Sequence, residues 1–149
     1  MEATHDILLL DSNEQSAQEI QRFLKVSAYA FSLSHAVDVS EGLNYIRNRR
    51  PDLILFEAGA VNQNGFDVFK QLVQREQIPS ILLTDTENAE TQQLKSQTGA
   101  TEFLVKNKIN LFHLQKTIAN VLKLNETETR LGNSVQEINA QHETLYNVL

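Results

Sequence analysis

Four polar side chains of this 149-residue chain each follow directly on a short apolar run: Asp11, Glu57, Thr84 and Lys106. Carboxylates can bind a divalent cation, whereas a hydroxyl and an ammonium can bind an anion. If the four apolar runs are parallel strands, their carboxyl ends meet at one edge of the sheet, where ligands bind in such folds. The sequence therefore predicts a polar site that combines two acids, a hydroxyl and a lysine.

Apolar runs and helical patterns alternate along the chain, as they do where helices connect parallel strands. The strongest apolar runs are short and continuous, which is typical of strands buried on both faces. The pattern predicts strands at residues 7–10, 31–33, 53–56, 80–83 and 102–105. It predicts helices at 12–26, 39–49, 66–75, 87–98 and from 111 onward, with a turn at 62–65. We therefore expect a doubly wound α/β domain, with helices on both faces of a five-stranded sheet.

Composition and charge exclude several classes of function. The chain contains no Cys, which excludes disulfides, thiolate zinc sites and thiol catalysis. The net charge is -6 and no basic patch stands out, so we do not expect direct nucleic-acid binding. No apolar run approaches the ~18 residues of a membrane-spanning helix, and the first residues lack the pattern of a signal peptide. No pair of the four histidines has metal-ligand spacing. These features predict a cytoplasmic protein that does not contact the membrane.

In the residues that end its strands, the sequence resembles the response-regulator receiver domain of two-component signalling. That family has a flavodoxin-like fold with strand order 2-1-3-4-5. The resemblance covers residues 6–122. It rests on the acid after strand one, Asp11, and on the segment PDLILFEAGAVNQNG around the third strand. It rests also on ILLT, which ends in Thr84, and on GATEFLVK, which ends in Lys106.

The resemblance implies a role for each matching residue. In the family, acids after strand one and a backbone carbonyl bind Mg²⁺, which would be Asp11 and the carbonyl of Gly59 here. The third strand ends on the Asp that accepts a phosphoryl group. Thr84 would donate a hydrogen bond to that group, and Lys106 would pair with it. Phe103, on the fifth strand, would change rotamer as the state switches.

The match is partial at the residues that matter most for phosphorylation. Glu57 stands at the position of the acceptor Asp, and Ser12 at the position of the second metal-binding acid. Glu has one more methylene than Asp, so the carboxylate oxygens move by more than an ångström, and such misplacement can cost on the order of 100-fold in rate. Three hypotheses follow. In the first, Glu57 pairs with Lys106 and is a fixed partial mimic of the phosphorylated state. In the second, Glu57 marks a site that has decayed to a scaffold. In the third, the site retains Mg²⁺-dependent phosphorylation.

The segment after the expected domain, residues 123–149, has a heptad pattern. Taking position 124 as a, six of the eight a and d positions are apolar: Leu124, Leu131, Val135, Ile138, Leu145 and Leu149, with Glu128 and His142 as the exceptions. We therefore expect domain bounds of 1–122 and 123–149. The extension is predicted to be helical, either a short coiled coil that forms a dimer or a linker to a missing output domain.

Taken together, these features predict an atypical receiver module that acts through protein–protein contacts and is not an enzyme. The expected partners are signalling proteins or an output domain, and the expected contact face is helix four, strand five and helix five around Phe103. This face offers a second route to a homodimer. No cofactor is expected, and Mg²⁺ binding is doubtful because Ser12 is not an acid. The alternative is a flavodoxin-like flavin binder. The first strand-to-helix loop of this chain, DSNEQS, argues against it, because the loop has no Gly and its acids would repel a phosphate.

Overall fold

A computed structural model describes residues 4–27, 30–85 and 88–123. Its five strands form one parallel sheet in the order β2-β1-β3-β4-β5, so the predicted fold is confirmed. The strands are β1 (His5–Leu10), β2 (Phe31–Ala36), β3 (Leu53–Glu57), β4 (Ser80–Thr84) and β5 (Glu102–Val105). The helices are α1 (Glu14–Lys25), α2 (Val39–Asn48), α3 (Phe66–Arg75), α4 (Ala89–Thr98) and α5, which covers 111–123 of the described residues.

Alternate residues of each central strand enter two separate cores, because successive side chains of a strand point to opposite faces. Ile7 and Leu9 of β1 pack in the cluster that contains the buried faces of α1 and α5. Leu8 and Leu10 pack in the other cluster, which contains those of α2 and α3. This arrangement explains why the central strands read as continuous apolar runs and not as alternating ones.

The strand register brings the ends of the apolar runs together. Leu10 lies opposite Phe56, so the next residues, Asp11 and Glu57, come side by side at the carboxyl edge. On the other side of β3, Thr84 lies opposite Val105, which places Lys106 one residue beyond the β4–β5 pairing. The sheet therefore presents all four polar residues at one edge.

Local capping moves two helix starts from the sequence-predicted positions. Helix α1 begins at Glu14 and not at residue 12, because the Asn13 side chain accepts a hydrogen bond from the Ser16 N–H at 3.0 Å. Helix α4 begins at Ala89, because Asn88 and Thr91 form a capping box. Gly99 ends α4 in the left-handed conformation, which glycine adopts without strain.

Two short 3₁₀ helices follow β3 and β5, at Ala58–Asn62 and Lys106–Lys108. The sequence pattern did not predict them, because the first segment gave only a turn signal at 62–65. The first of them carries Gly59 next to the Glu57 side chain, and the second begins with Lys106. Both therefore shape the carboxyl edge.

The opposite edge of the sheet carries an ion pair between Arg49 and Asp6, with 2.8 Å between Nη2 and Oδ2. The hydrogen bond that Arg49 donates to the Asp6 carboxylate, followed by the negative charge of Asp6, raises the pKa of Arg49. None of the helices in the described ranges is long and apolar enough to cross a membrane. The heptad pattern of residues 124–149, including His142, lies outside the described part of the chain, and the domain bound at 122 stays a prediction.

Candidate functional site

Asp11 lies at the centre of the carboxyl edge, and its side chain is fully buried. Its Oδ1 accepts a hydrogen bond from the Asn13 N–H at 2.9 Å. Its Oδ2 accepts one from the Ser16 hydroxyl at 2.9 Å and faces the Lys106 ammonium at 3.1 Å. A buried carboxylate is costly unless it is paired and hydrogen-bonded. Here protein donors satisfy both of its oxygens.

Glu57, the last residue of β3, directs its carboxylate toward the loop after β1. Its Oε2 accepts a hydrogen bond from the Ser12 N–H at 2.7 Å, a length typical of charge-assisted bonds. Its Oε1 lies 3.9 Å from the Lys106 Nζ. The expected Glu57–Lys106 salt bridge therefore forms, but it is the longer of the two pairs that Lys106 makes with these acids.

Lys106 reaches the two carboxylates from the first residue after β5, and 19% of its side chain is exposed. One ammonium thus neutralises a fully buried acid, Asp11, and a largely buried one, Glu57. Because it lies nearer to Asp11, its main role in this arrangement is to compensate the buried charge.

The remaining predicted residues lie at different distances from this cluster. Gly59 is adjacent, since a β-carbon on it would lie 3.9 Å from the Glu57 Cδ and Oε1. Thr84 is buried and lines a cleft of about 420 Å³ between the 3₁₀ helix Ala58–Asn62 and α4. Asn88, and not Thr84, caps α4. Phe103 lines a separate groove between β5 and α5 and does not join the cluster.

Two residues that sequence reasoning missed hold Asp11 in place. The Ser16 hydroxyl donates to its carboxylate, and the His35 Nε2 lies 2.8 Å from its backbone carbonyl oxygen. A signal for Ser16 was available, because in a helix that begins near Asn13 it lies in the first turn and can reach back to the preceding loop. His35 gave no such signal, because its proximity depends on β2 pairing with β1.

Comparison with known proteins identifies the family. A family model described as the response regulator receiver domain matches residues 7–119. The chain belongs to this family. It is 25% identical over 100 residues to the transcriptional regulatory protein AfsQ1 of Streptomyces coelicolor. That match covers 67% of this chain and 44% of the relative, so the chain spans less than half the length of that protein.

Solved structures confirm the receiver fold. A CheY-like response regulator receiver domain protein from Methanospirillum hungatei superposes with a TM-score of 0.71 at 22% identity, over 85% of this chain and 99% of that one. Chemotaxis protein CheY4 of Vibrio cholerae superposes with a TM-score of 0.68 at 27% identity, over 80% of this chain and 99% of that one. The chain is therefore a receiver domain of the two-component response-regulator family.

The acids of this receiver domain do not fit the family's Mg²⁺ site. Magnesium needs several oxygens in near-octahedral geometry. Here position 12 supplies a hydroxyl, and protein donors already engage the oxygens of Asp11 and Glu57. Across residues 4–27, 30–85 and 88–123, no group of three or more His, Cys, Asp or Glu side chains is placed to hold a metal ion. Asp85, a further nearby acid, is exposed and does not complete such a group.

Proposed function

We propose that this chain is an atypical receiver module that works through protein–protein contacts, without regulated phosphorylation at position 57. The observation that carries this proposal is the hydrogen bond of 2.7 Å from the Ser12 N–H to the Glu57 Oε2. It ties the residue at the acceptor position to the loop after β1. One of the two carboxylate oxygens that could attack phosphorus is thus occupied by an internal donor.

Phosphoryl transfer depends mainly on positioning and on compensation of charge. The attacking oxygen must lie in line with the phosphorus, and metal ions stabilise the charge of the transferred group. Glu57 carries its oxygens one methylene farther from β3 than Asp would, and the metal-binding acids are incomplete. Both requirements fail at the same place, so the site favours a state that no small phosphodonor changes.

The distances support a fixed scaffold more than a mimic of the phosphorylated state. A mimic would hold its charge where the phosphoryl oxygens bind, close to the lysine ammonium. The Lys106 Nζ is instead 3.9 Å from Glu57 and 3.1 Å from Asp11. The Glu57 carboxylate is directed to the Ser12 N–H on the β1 side. We infer that Glu57 locks the loop after β1 to β3 in a single arrangement.

The contacts of the loop after β1 are also unfavourable for a flavin-binding protein with the same fold. Phosphate groups bind at such loops through free backbone N–H groups and a helix N-terminus. Here the Ser12 and Asn13 N–H groups donate to Glu57 and Asp11, and the Ser16 N–H donates to the Asn13 side chain. Two acids thus use the donors that a phosphate would need.

We place the partner-binding face on α4, β5 and α5 around Phe103. Phe103 is partly buried and lines the groove with His113, Thr117 and Asn120. Such a face would bind a signalling partner, an output domain or a second copy of the chain. We also propose that the chain dimerises through residues 123–149 and that it is a cytoplasmic protein.

The test is incubation of the protein with Mg²⁺ and acetyl phosphate, followed by measurement of the intact mass. We expect no adduct on the native chain. We expect the mass of one HPO₃ group to be added in the double variant Glu57→Asp with Ser12→Asp, which restores the family's Asp at both positions. The single variant Ser12→Asp is the matched control, and it should stay unmodified.

An adduct on the native chain that is lost in Glu57→Gln would overturn the proposal, because Glu57 would then be a working acceptor. An adduct on Ser12→Asp alone would show that the metal site, and not Glu57, is what blocks phosphorylation.

A further inference from the structure

The loop before α3 contains Asn64–Gly65, which is the one Asn-Gly pair in the 149 residues. We propose that Asn64 is a modification site at which the chain deamidates spontaneously, through a cyclic succinimide formed with Gly65. The substrate of this reaction is the chain itself together with water.

The local structure leaves both reacting groups accessible. Asn64 and Gly65 are exposed and lie in the turn between the 3₁₀ helix Ala58–Asn62 and α3. Within the described ranges of the chain, neither the Asn64 carboxamide nor the Gly65 N–H has a hydrogen-bond partner. Gly65 also has no β-carbon to hinder the approach of its nitrogen to the Asn64 side chain. Neither reacting group therefore has to give up a hydrogen bond of its own before cyclisation.

Other asparagines of the domain are held by the fold. The side chains of Asn13, Asn88 and Asn110 each accept a hydrogen bond from a backbone N–H three residues ahead of them in a helix. The Asn48 carboxamide donates to the Asn44 carbonyl oxygen within α2. In addition, each of these asparagines is followed by a residue with a β-carbon. Asn64 differs from these four asparagines both in its neighbour and in its lack of hydrogen-bond partners within the described ranges.

The reaction balances without an oxidant or a cofactor. The Gly65 backbone nitrogen attacks the Asn64 Cγ, so that a C–N bond forms, the bond from Cγ to Nδ2 breaks and ammonia leaves with the amide proton. Water then adds to one of the two imide carbonyls. Opening at one carbonyl gives an ordinary aspartyl residue at position 64, and opening at the other gives an isoaspartyl linkage that carries the backbone through Cβ and Cγ.

The two products have different consequences for the carboxyl edge. An ordinary aspartate places a negative charge just before the N-terminus of α3, where the helix dipole favours it. The isoaspartyl form adds one atom to the backbone directly after Gln63. Gln63 accepts hydrogen bonds from the Val39 N–H at 2.8 Å and from the Phe66 N–H at 3.2 Å. The longer linkage therefore strains the residue that connects the starts of α2 and α3.

The experiment is long incubation of the folded chain at neutral to mildly alkaline pH, with peptide mapping by mass spectrometry. We expect a gain of one dalton at Asn64, with aspartyl and isoaspartyl forms of the same peptide. The conversion should be roughly tenfold faster than at any other described asparagine, because glycine alone leaves the following nitrogen unhindered. It should vanish in Asn64→Gln and persist in Asn62→Gln, a matched change two residues earlier at the end of the 3₁₀ helix.

The excised peptide, in which the loop is unfolded, supplies the opposing outcome. If that peptide converts while the folded chain keeps Asn64 intact over the same period, the fold protects this site and the proposal is wrong. Conversion at comparable rates across several asparagines would also overturn it.

Discussion

Replacement of Lys106 by Met tests whether its ammonium compensates the buried acid. Methionine keeps the length and most of the apolar stem of lysine but removes the charge. The lost attraction across 3.1 Å is on the order of 5 kcal/mol at an effective dielectric constant of about 20. The desolvation cost of the lysine is recovered, and Asp11 keeps two hydrogen bonds. We therefore expect the free energy of unfolding to fall by about 2–3 kcal/mol, somewhat less than the roughly 3–5 kcal/mol that breaking a buried pair costs.

The measurement is urea unfolding at neutral pH, followed by far-ultraviolet circular dichroism because the chain has no Trp. Lys108→Met is the matched control, since Lys108 lies in the same 3₁₀ helix but is exposed, and it should change stability by less than about 0.5 kcal/mol. Adding Asp11→Asn to Lys106→Met should recover part of the loss, because the orphaned charge is then removed. If Lys106→Met were no more costly than Lys108→Met, the assigned role of the ammonium would be refuted.

Three further substitutions test local features of the fold by the same unfolding measurement. Gln77→Gly should stabilise the domain by about 0.5–1 kcal/mol, because Gln77 has a φ of +55° that glycine adopts without strain; a loss would contradict this. Asn88→Ala should cost about 1 kcal/mol by removing the α4 cap, and Asn88→Asp, which keeps the acceptor, should cost less. Gly42→Ala should cost about 1 kcal/mol, because its β-carbon would lie 3.1 Å from the buried Phe69 ring; a gain would show that helix propensity dominates there.

The fold and the place of the site could be predicted from the sequence because both depend on local patterns. Continuous apolar runs mark strands buried on both faces, and the residues that end those runs must meet at the carboxyl edge. Asp11, Glu57 and Lys106 meet there in the structure, with Thr84 lining a cleft beside them.

The partners of each site residue could not be predicted, because they depend on distances set by the whole fold. No sequence pattern indicates that Lys106 lies nearer to Asp11 than to Glu57, or that Glu57 accepts from the Ser12 N–H. The two 3₁₀ helices were missed for a related reason, since such short segments form where the tertiary structure directs the chain and carry little signal of their own.

Helix α4 buries few side chains, and this affects the local unfolding of the domain. Thr91 is its one buried residue, and Leu94 contributes only a partly buried side chain to the core. Regions with few buried apolar contacts open with a free energy below that of global unfolding. The backbone amides of α4 are therefore expected to exchange hydrogen with solvent earlier than those of β1, β3 and β4. The helix would form a separate, low-stability unit, which a binding partner could order or displace at little energetic cost.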